Sequence, residues 1–94
     1  MYKRNKIIEK LGLFTHMKFP RPNYAIIYFE NGYIVQSYST VVCIQLFGKF
    51  YFDKAWAISR TTARHVSETV GMTAMEIRDR IKKKDDNFRK MEEI

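Results

Sequence analysis

Tyr24-Ala25-Ile26-Ile27-Tyr28-Phe29-Glu30-Asn31-Gly32-Tyr33-Ile34-Val35-Gln36 decides the fold. Its two flanks are dense in β-branched and aromatic residues, which suit a pleated, half-buried surface. Between them, Asn31-Gly32 is a dipeptide favoured in two-residue hairpin turns, where both central residues need a positive φ. The stretch therefore predicts two antiparallel strands, Tyr24–Phe29 and Tyr33–Gln36. The pattern then repeats downstream. After the polar Ser37-Tyr38-Ser39-Thr40, a third strand is expected over Val41–Leu46, and Phe47-Gly48 turns it into a fourth, Lys49–Phe52. Together these make a four-stranded antiparallel β-meander with one face available to helices.

On both sides of the meander the periodicity changes. Upstream, Ile7, Ile8 and Leu11 at helical spacing, followed by Gly12, predict a short N-terminal helix over Lys3–Leu11 that the glycine caps. Phe14–Asn23 holds both prolines, Pro20 and Pro22, and reads as an extended connector, because proline lacks the N–H that a ladder uses. Downstream, Ser59 suits the N-cap of a helix whose Ala63, Val66 and Val70 share a face and which Gly71 stops. Thr73-Ala74-Met75-Glu76 matches a capping box and opens a last helix expected to run to about Met91. Glu76 with Arg80, Asp79 with Lys83, Asp85 with Arg89 and Asp86 with Lys90 would pair along it at i,i+4, each contributing ~0.2–0.5 kcal/mol. The expected fold is α+β: one domain over residues 1–94, with the meander, a short N-terminal helix and two C-terminal helices, the last one long.

Composition removes several classes of function. The chain has 94 residues, 46% apolar and 15% aromatic, enough for one small domain with a core. Cys43 is the only cysteine, so neither an internal disulfide nor a cysteine metal knuckle is available, and a buried strand position is expected for it. No apolar run approaches the ~20 residues of a membrane span. Ile7-Ile8 is followed at once by Glu9-Lys10, so the basic start lacks the apolar region of a signal peptide. A reducing cytoplasm and no membrane partner are expected. Chemistry is equally sparse. His16 and His65 lie far apart, no glycine-rich loop precedes a helix, no serine has Gly-x-Ser-x-Gly flanks, and Glu30 and Asp53 are the carboxylates near the sheet. A non-enzyme without cofactor or metal is the expectation.

The net charge of +7 is uneven. Residues 1–22 hold six basic side chains against one acidic, whereas residues 73–94 hold seven against six. Lys82-Lys83-Lys84 is thus read as a solvated helix face balanced by its acidic neighbours. Lys3, Arg4, Lys6, Lys18, Arg21, Arg60 and Arg64 become the candidate nucleic-acid-binding residues, on the condition that the fold brings them together. A second cluster, Trp56, Ser59, Thr61, Thr62 and His65 with Tyr38 from the preceding turn, gathers hydroxyls at a helix N-terminus. It reads either as an anion or partner site or as a helix cap beside a core tryptophan. On the last helix, Ala74, Ile77, Ile81, Lys84, Phe88 and Met91 form a heptad-like seam. Either the first half of this helix packs on the sheet and the rest frays, or the distal half docks on a second copy or on another protein, with Ile81, Phe88 and Met91 as the interface residues. A helix-turn-helix over Ala63–Lys84, with Met75, Arg78, Asp79 and Lys82 toward the major groove, is a further alternative.

Gln36-Ser37-Tyr38, the hairpin Val41–Phe52, Trp56, Ser59-Arg60-Thr61-Thr62 and Arg64-His65 occur in an order that resembles a family of short uncharacterised bacteriophage proteins. The likeness covers about a third of the chain and brings no activity with it. It implies phage origin, a host-cell cytoplasmic setting, and action by binding nucleic acid or a host or bacterial-defence protein.

Overall fold

The computed structural model describes residues 9–93. Six strands form one sheet in chain order: β1 (Phe14–Arg21), β2 (Tyr24–Phe29), β3 (Gly32–Ser37), β4 (Thr40–Leu46), β5 (Lys49–Phe52) and β6 (Phe88–Lys90). Between β5 and β6 come two helices, α1 (Arg60–Val70) and α2 (Ala74–Lys82). The first five strands are antiparallel and β6 lies parallel to β5, as a helical crossover permits. The expected four-stranded antiparallel meander with a long last helix is therefore corrected at both ends. The sheet is mixed, it gains a strand on each edge, and its last helix is short. Of the predicted N-terminal helix, residues 3–8 lie outside the described residues; residues 9–11 are helical and Gly12 follows at φ 82.

The first added strand is the supposed connector. Met17 pairs with Ile27 and Lys18 with Ile26, while Pro20 falls within a register shift between Lys18 and Arg21. Among the described residues β1 pairs only with β2, and an edge strand tolerates a proline whose missing N–H no ladder requires. Pro22-Asn23 then turns the chain, with Asn23 at φ 61.

The second added strand replaces the distal half of the predicted helix. Lys84 takes φ 57, and the Asp85 N–H reaches back to the Arg80 carbonyl (3.0 Å), a Schellman-type stop. The Asp85 carboxylate accepts the Asn87 N–H (2.9 Å) and its carbonyl accepts the Phe88 N–H (3.0 Å). The chain then joins β5, with Phe88 5.3 Å from Phe50 and 6.0 Å from Phe52 between ring centroids. Burying such a side chain contributes roughly 1.5–3 kcal/mol, which outweighs the ~0.2–0.5 kcal/mol of each helical charge pair. Asp79 and Lys83 do pair (3.1 Å), but Asp85 joins Arg80 (3.1 Å), and Asp86 joins Arg89 and Lys49.

The central hairpin forms with a different turn. Its loop is Glu30-Asn31, and neither Asn31 nor Gly32 takes a positive φ. Gly32 is instead required by close approach, since a Cβ there would stand 1.7 Å from the Gln45 carbonyl oxygen. Two successive positive φ values occur at Phe47 (49°) and Gly48 (79°), between Leu46 and Lys49.

Both faces of the sheet are packed. On one, Tyr24, Ile26, Val35, Cys43, Phe52 and Phe88 meet Trp56, Val66 of α1 and Ile77 of α2. On the other, Ile34, Ile44 and Leu46 lie with Leu11 and Met91. Phe88 and Met91 are therefore core residues, 8% and 7% exposed, and the expected docking seam through them does not exist. Ile81 packs against the first core. Among the described residues no helix is long and apolar enough to cross a membrane.

Candidate nucleic-acid interface

Of the seven predicted nucleic-acid-binding residues, Lys3, Arg4 and Lys6 lie outside the described residues. Lys18 places its Nζ 5.6 Å from the centre of the Tyr28 ring, against which His16 also stacks (4.4 Å). Arg21 grips Glu68 of α1 with three hydrogen bonds, from Nε to both carboxylate oxygens (3.2 Å each) and from Nη2 to Oε1 (2.9 Å). These bonds hold the Glu68 carboxyl below its ordinary range, and the charge of nearby Arg64 adds to the effect. Arg60 and Arg64 are exposed on the first turns of α1. Within the described part of the expected patch, Arg21 and Arg64 both lie close to Glu68, and Arg21 is neutralised by it.

The hydroxyl cluster divides. Ser59 caps α1: its Oγ accepts the Thr62 N–H (3.1 Å) and donates to Thr62 Oγ1 (3.1 Å). Ser37, from the end of β3, also donates to Thr62 Oγ1 (3.2 Å), which leaves His65 Nδ1–H to donate to Ser37 Oγ (2.9 Å). His65 is buried and stacks on Tyr24 with centroids 4.4 Å apart; burial pushes its pKa down and keeps the ring neutral. Tyr38 is exposed in the adjoining turn at φ 56, and Thr61 is exposed on α1. A cleft of about 460 Å³ opens here, lined in part by Ser37, Tyr38, Ser59 and Thr62. The Ser37, Ser59 and Thr62 hydroxyls that line it are bonded to one another, so the cluster works as a joint between β3 and α1.

Trp56, the remaining member, faces elsewhere. An Asp53 turn positions it: the Asp53 carboxylate accepts the Ala55 N–H (2.9 Å) and its carbonyl accepts the Trp56 N–H (2.9 Å). The indole packs on Phe52 (5.6 Å), and the Arg78 guanidinium of α2 lies over it, 5.5 Å from the ring centre. Around this pair a second cleft, of about 480 Å³, runs between α2 and β6. Arg78, Lys82, Lys84, Arg89 and Lys90 line it against Asp85 and Asp86, with Trp56, Ile81 and Phe88 as its apolar wall. The two carboxylates are already engaged, Asp85 by Arg80 and Asp86 by Lys49 and Arg89. Hydrogen bonds hold both below the usual carboxylate range: the Asn87 amide and then Arg80 for Asp85, and Arg89 and then Lys49 for Asp86. Among the described residues, Arg78, Lys82 and Lys84 have no carboxylate within ion-pair distance.

This cleft was hidden by the continuous-helix reading, which spent the Lys82–Lys84 charge on carboxylates a turn away. The signal that could have found it is Asp85-Asp86-Asn87, three turn-forming residues directly after the lysines.

The match of a family model over residues 4–87 settles the relationship. The chain belongs to DUF8033, a family of unknown function. No curated protein and no solved structure matches it. The DUF8033 match takes in β1 to β5, both helices and the α2 side of the basic cleft; β6 lies past it. Among the described residues, no three His, Cys, Asp or Glu side chains are grouped as a metal site would need.

Proposed function

We propose that the protein binds nucleic acid, and that it does so through the cleft between α2 and β6. The observation that carries this reading is one concavity lined by five cationic side chains and two carboxylates, Asp85 held by Arg80 and Asp86 by Lys49 and by Arg89 of the lining itself. Phosphate groups entering it would meet Arg78, Lys82 and Lys84, which have no carboxylate within ion-pair distance among the described residues, and counterions released from the nucleic acid would drive the association. The reading keeps nucleic acid as the ligand and moves the binding surface from the N-terminal arm and α1 to the other end of the helical layer.

A mixed-sequence oligonucleotide is expected to bind with an affinity that falls steeply with salt. Lys82→Gln combined with Lys84→Gln lowers the slope of log K against log salt by about 1.4–1.8, two phosphate contacts' worth. Arg60→Gln combined with Arg64→Gln removes the same charge and leaves the slope unchanged. Equal losses from the two pairs, or binding indifferent to salt, would overturn the assignment.

A second reading, contact with a host or defence protein, is favoured by apolar side chains on and beside β1. Leu13, Phe14 and Phe19 are 72%, 57% and 70% exposed, an arrangement typical of interaction surfaces when contiguous. Recovery of a partner from nuclease-treated lysate, abolished by Phe19→Ser, supports it; recovery that Phe19→Ser leaves intact counts against it.

A further inference from the structure

Resting on the nucleic-acid reading of the α2–β6 cleft, we infer that its ligand is single-stranded, with one unpaired base stacked on the Arg78 guanidinium. Three features of the cleft point there. The first is its shape. Proteins that read a duplex insert a protruding helix or ribbon into a groove, whereas this surface is concave and about 480 Å³ in volume, within the roughly 300–1,000 Å³ of sites that enclose a small ligand.

The second feature is the Trp56–Arg78 pair. The guanidinium carbon stands 5.5 Å from the centre of the indole, both side chains line the cleft, and Arg78 is exposed, so its planar group is open to a base. Arginine planes and aromatic rings are the platforms on which unpaired bases stack. In a duplex both faces of each internal base are already covered by its neighbours, so a base can occupy this platform only from a single strand or an open end.

The third is the placement of charge around that platform. Lys82 and Lys84 lie on the cleft one and three residues along the chain from Ile81, and Lys90 comes from the facing strand. Cations on both walls with an apolar floor of Trp56 and Phe88 make a channel that tracks a backbone while its base points inward.

Trp56 is the only tryptophan in the chain, so its emission reports occupancy of the cleft directly. The full chain is titrated with a labelled twelve-nucleotide single strand and with the corresponding duplex, reading anisotropy and tryptophan fluorescence together. The single strand is expected to bind about tenfold more tightly than the duplex and to change the Trp56 emission. Arg78→Lys, which keeps the charge and loses the plane, is expected to erase about tenfold of single-strand affinity with little effect on the duplex; circular dichroism verifies that it folds. Equal binding of both forms, or an Arg78→Lys protein that still prefers the single strand, overturns the inference and leaves the nucleic-acid reading standing. Binding of neither form overturns both.

Discussion

Two clefts of nearly the same volume, about 460 and 480 Å³, open on this small molecule and differ in how their polar groups are used. Around the first, Ser37, Ser59, Thr62 and His65 satisfy one another, so the groups that could greet a ligand are spent on fastening α1 to β3. Around the second, Asp85 is held by Arg80 and Asp86 by Lys49 and Arg89, whereas Arg78, Lys82 and Lys84 have no carboxylate within ion-pair distance among the described residues. Concavity is common to both, and unspent polarity to only one. A cluster rich in donors is thus a poor guide to binding until the partners of those donors are counted.

The largest effect that would break this contrast is removal of the basic cleft's wall. Phe88→Ala is expected to cost about 3–5 kcal/mol in urea denaturation, the penalty for emptying a buried aromatic site. A loss below ~1 kcal/mol would mean that β6 is not anchored by its phenylalanine. Ser59→Ala acts on the other cleft. Loss of the α1 cap should cost about 1 kcal/mol, and oligonucleotide affinity should be unchanged, because the hydroxyl joint lies outside the cleft proposed to bind. Weakened oligonucleotide binding in a folded Ser59→Ala protein would erase the functional distinction between the clefts.

The smallest effect expected is pH-dependent. His65 is held neutral with its pKa below the ordinary 6.5, so the unfolded chain takes up a proton before the folded one does. Its contribution is complete above the unfolded value and is lost as pH falls through the folded one. Melting temperature should therefore decline from about pH 6.5 downward, and His65→Gln should flatten the upper part of that decline. An unchanged profile in the variant would show that some other group sets it.

The hairpins from β2 to β5 were legible because β-branched and aromatic residues alternate with turn formers there, and such patterns are local. The capping box at Thr73 and Glu76 was legible for the same reason: the Thr73 Oγ accepts the Glu76 N–H (3.1 Å) and the Glu76 carboxylate accepts the Thr73 N–H (3.0 Å). What escaped was decided by distant partners. Pro20 argues against a strand unless it is known to lie at an edge, and edge status depends on the sheet as a whole. Phe88 and Met91 continue a helical seam until Phe50, Phe52 and Leu11 are placed beside them. The candidate cleft followed the same rule, because the charges along residues 73–94 nearly balance on a continuous helix and are redistributed by the turn at Asp85-Asp86-Asn87.

The parallel pairing of β6 with β5 has a consequence for how the molecule is put together. Phe50 meets Phe88 across 38 positions of chain, whereas each hairpin closes over a few residues. Long closures carry a higher entropic cost, so this seam is joined late during folding and opens early. The Phe50 amide, bonded to the Asn87 carbonyl at 2.8 Å, should accordingly exchange its hydrogen with solvent sooner than amides in the β2–β3 ladder, and that exchange times the opening of the basic cleft itself.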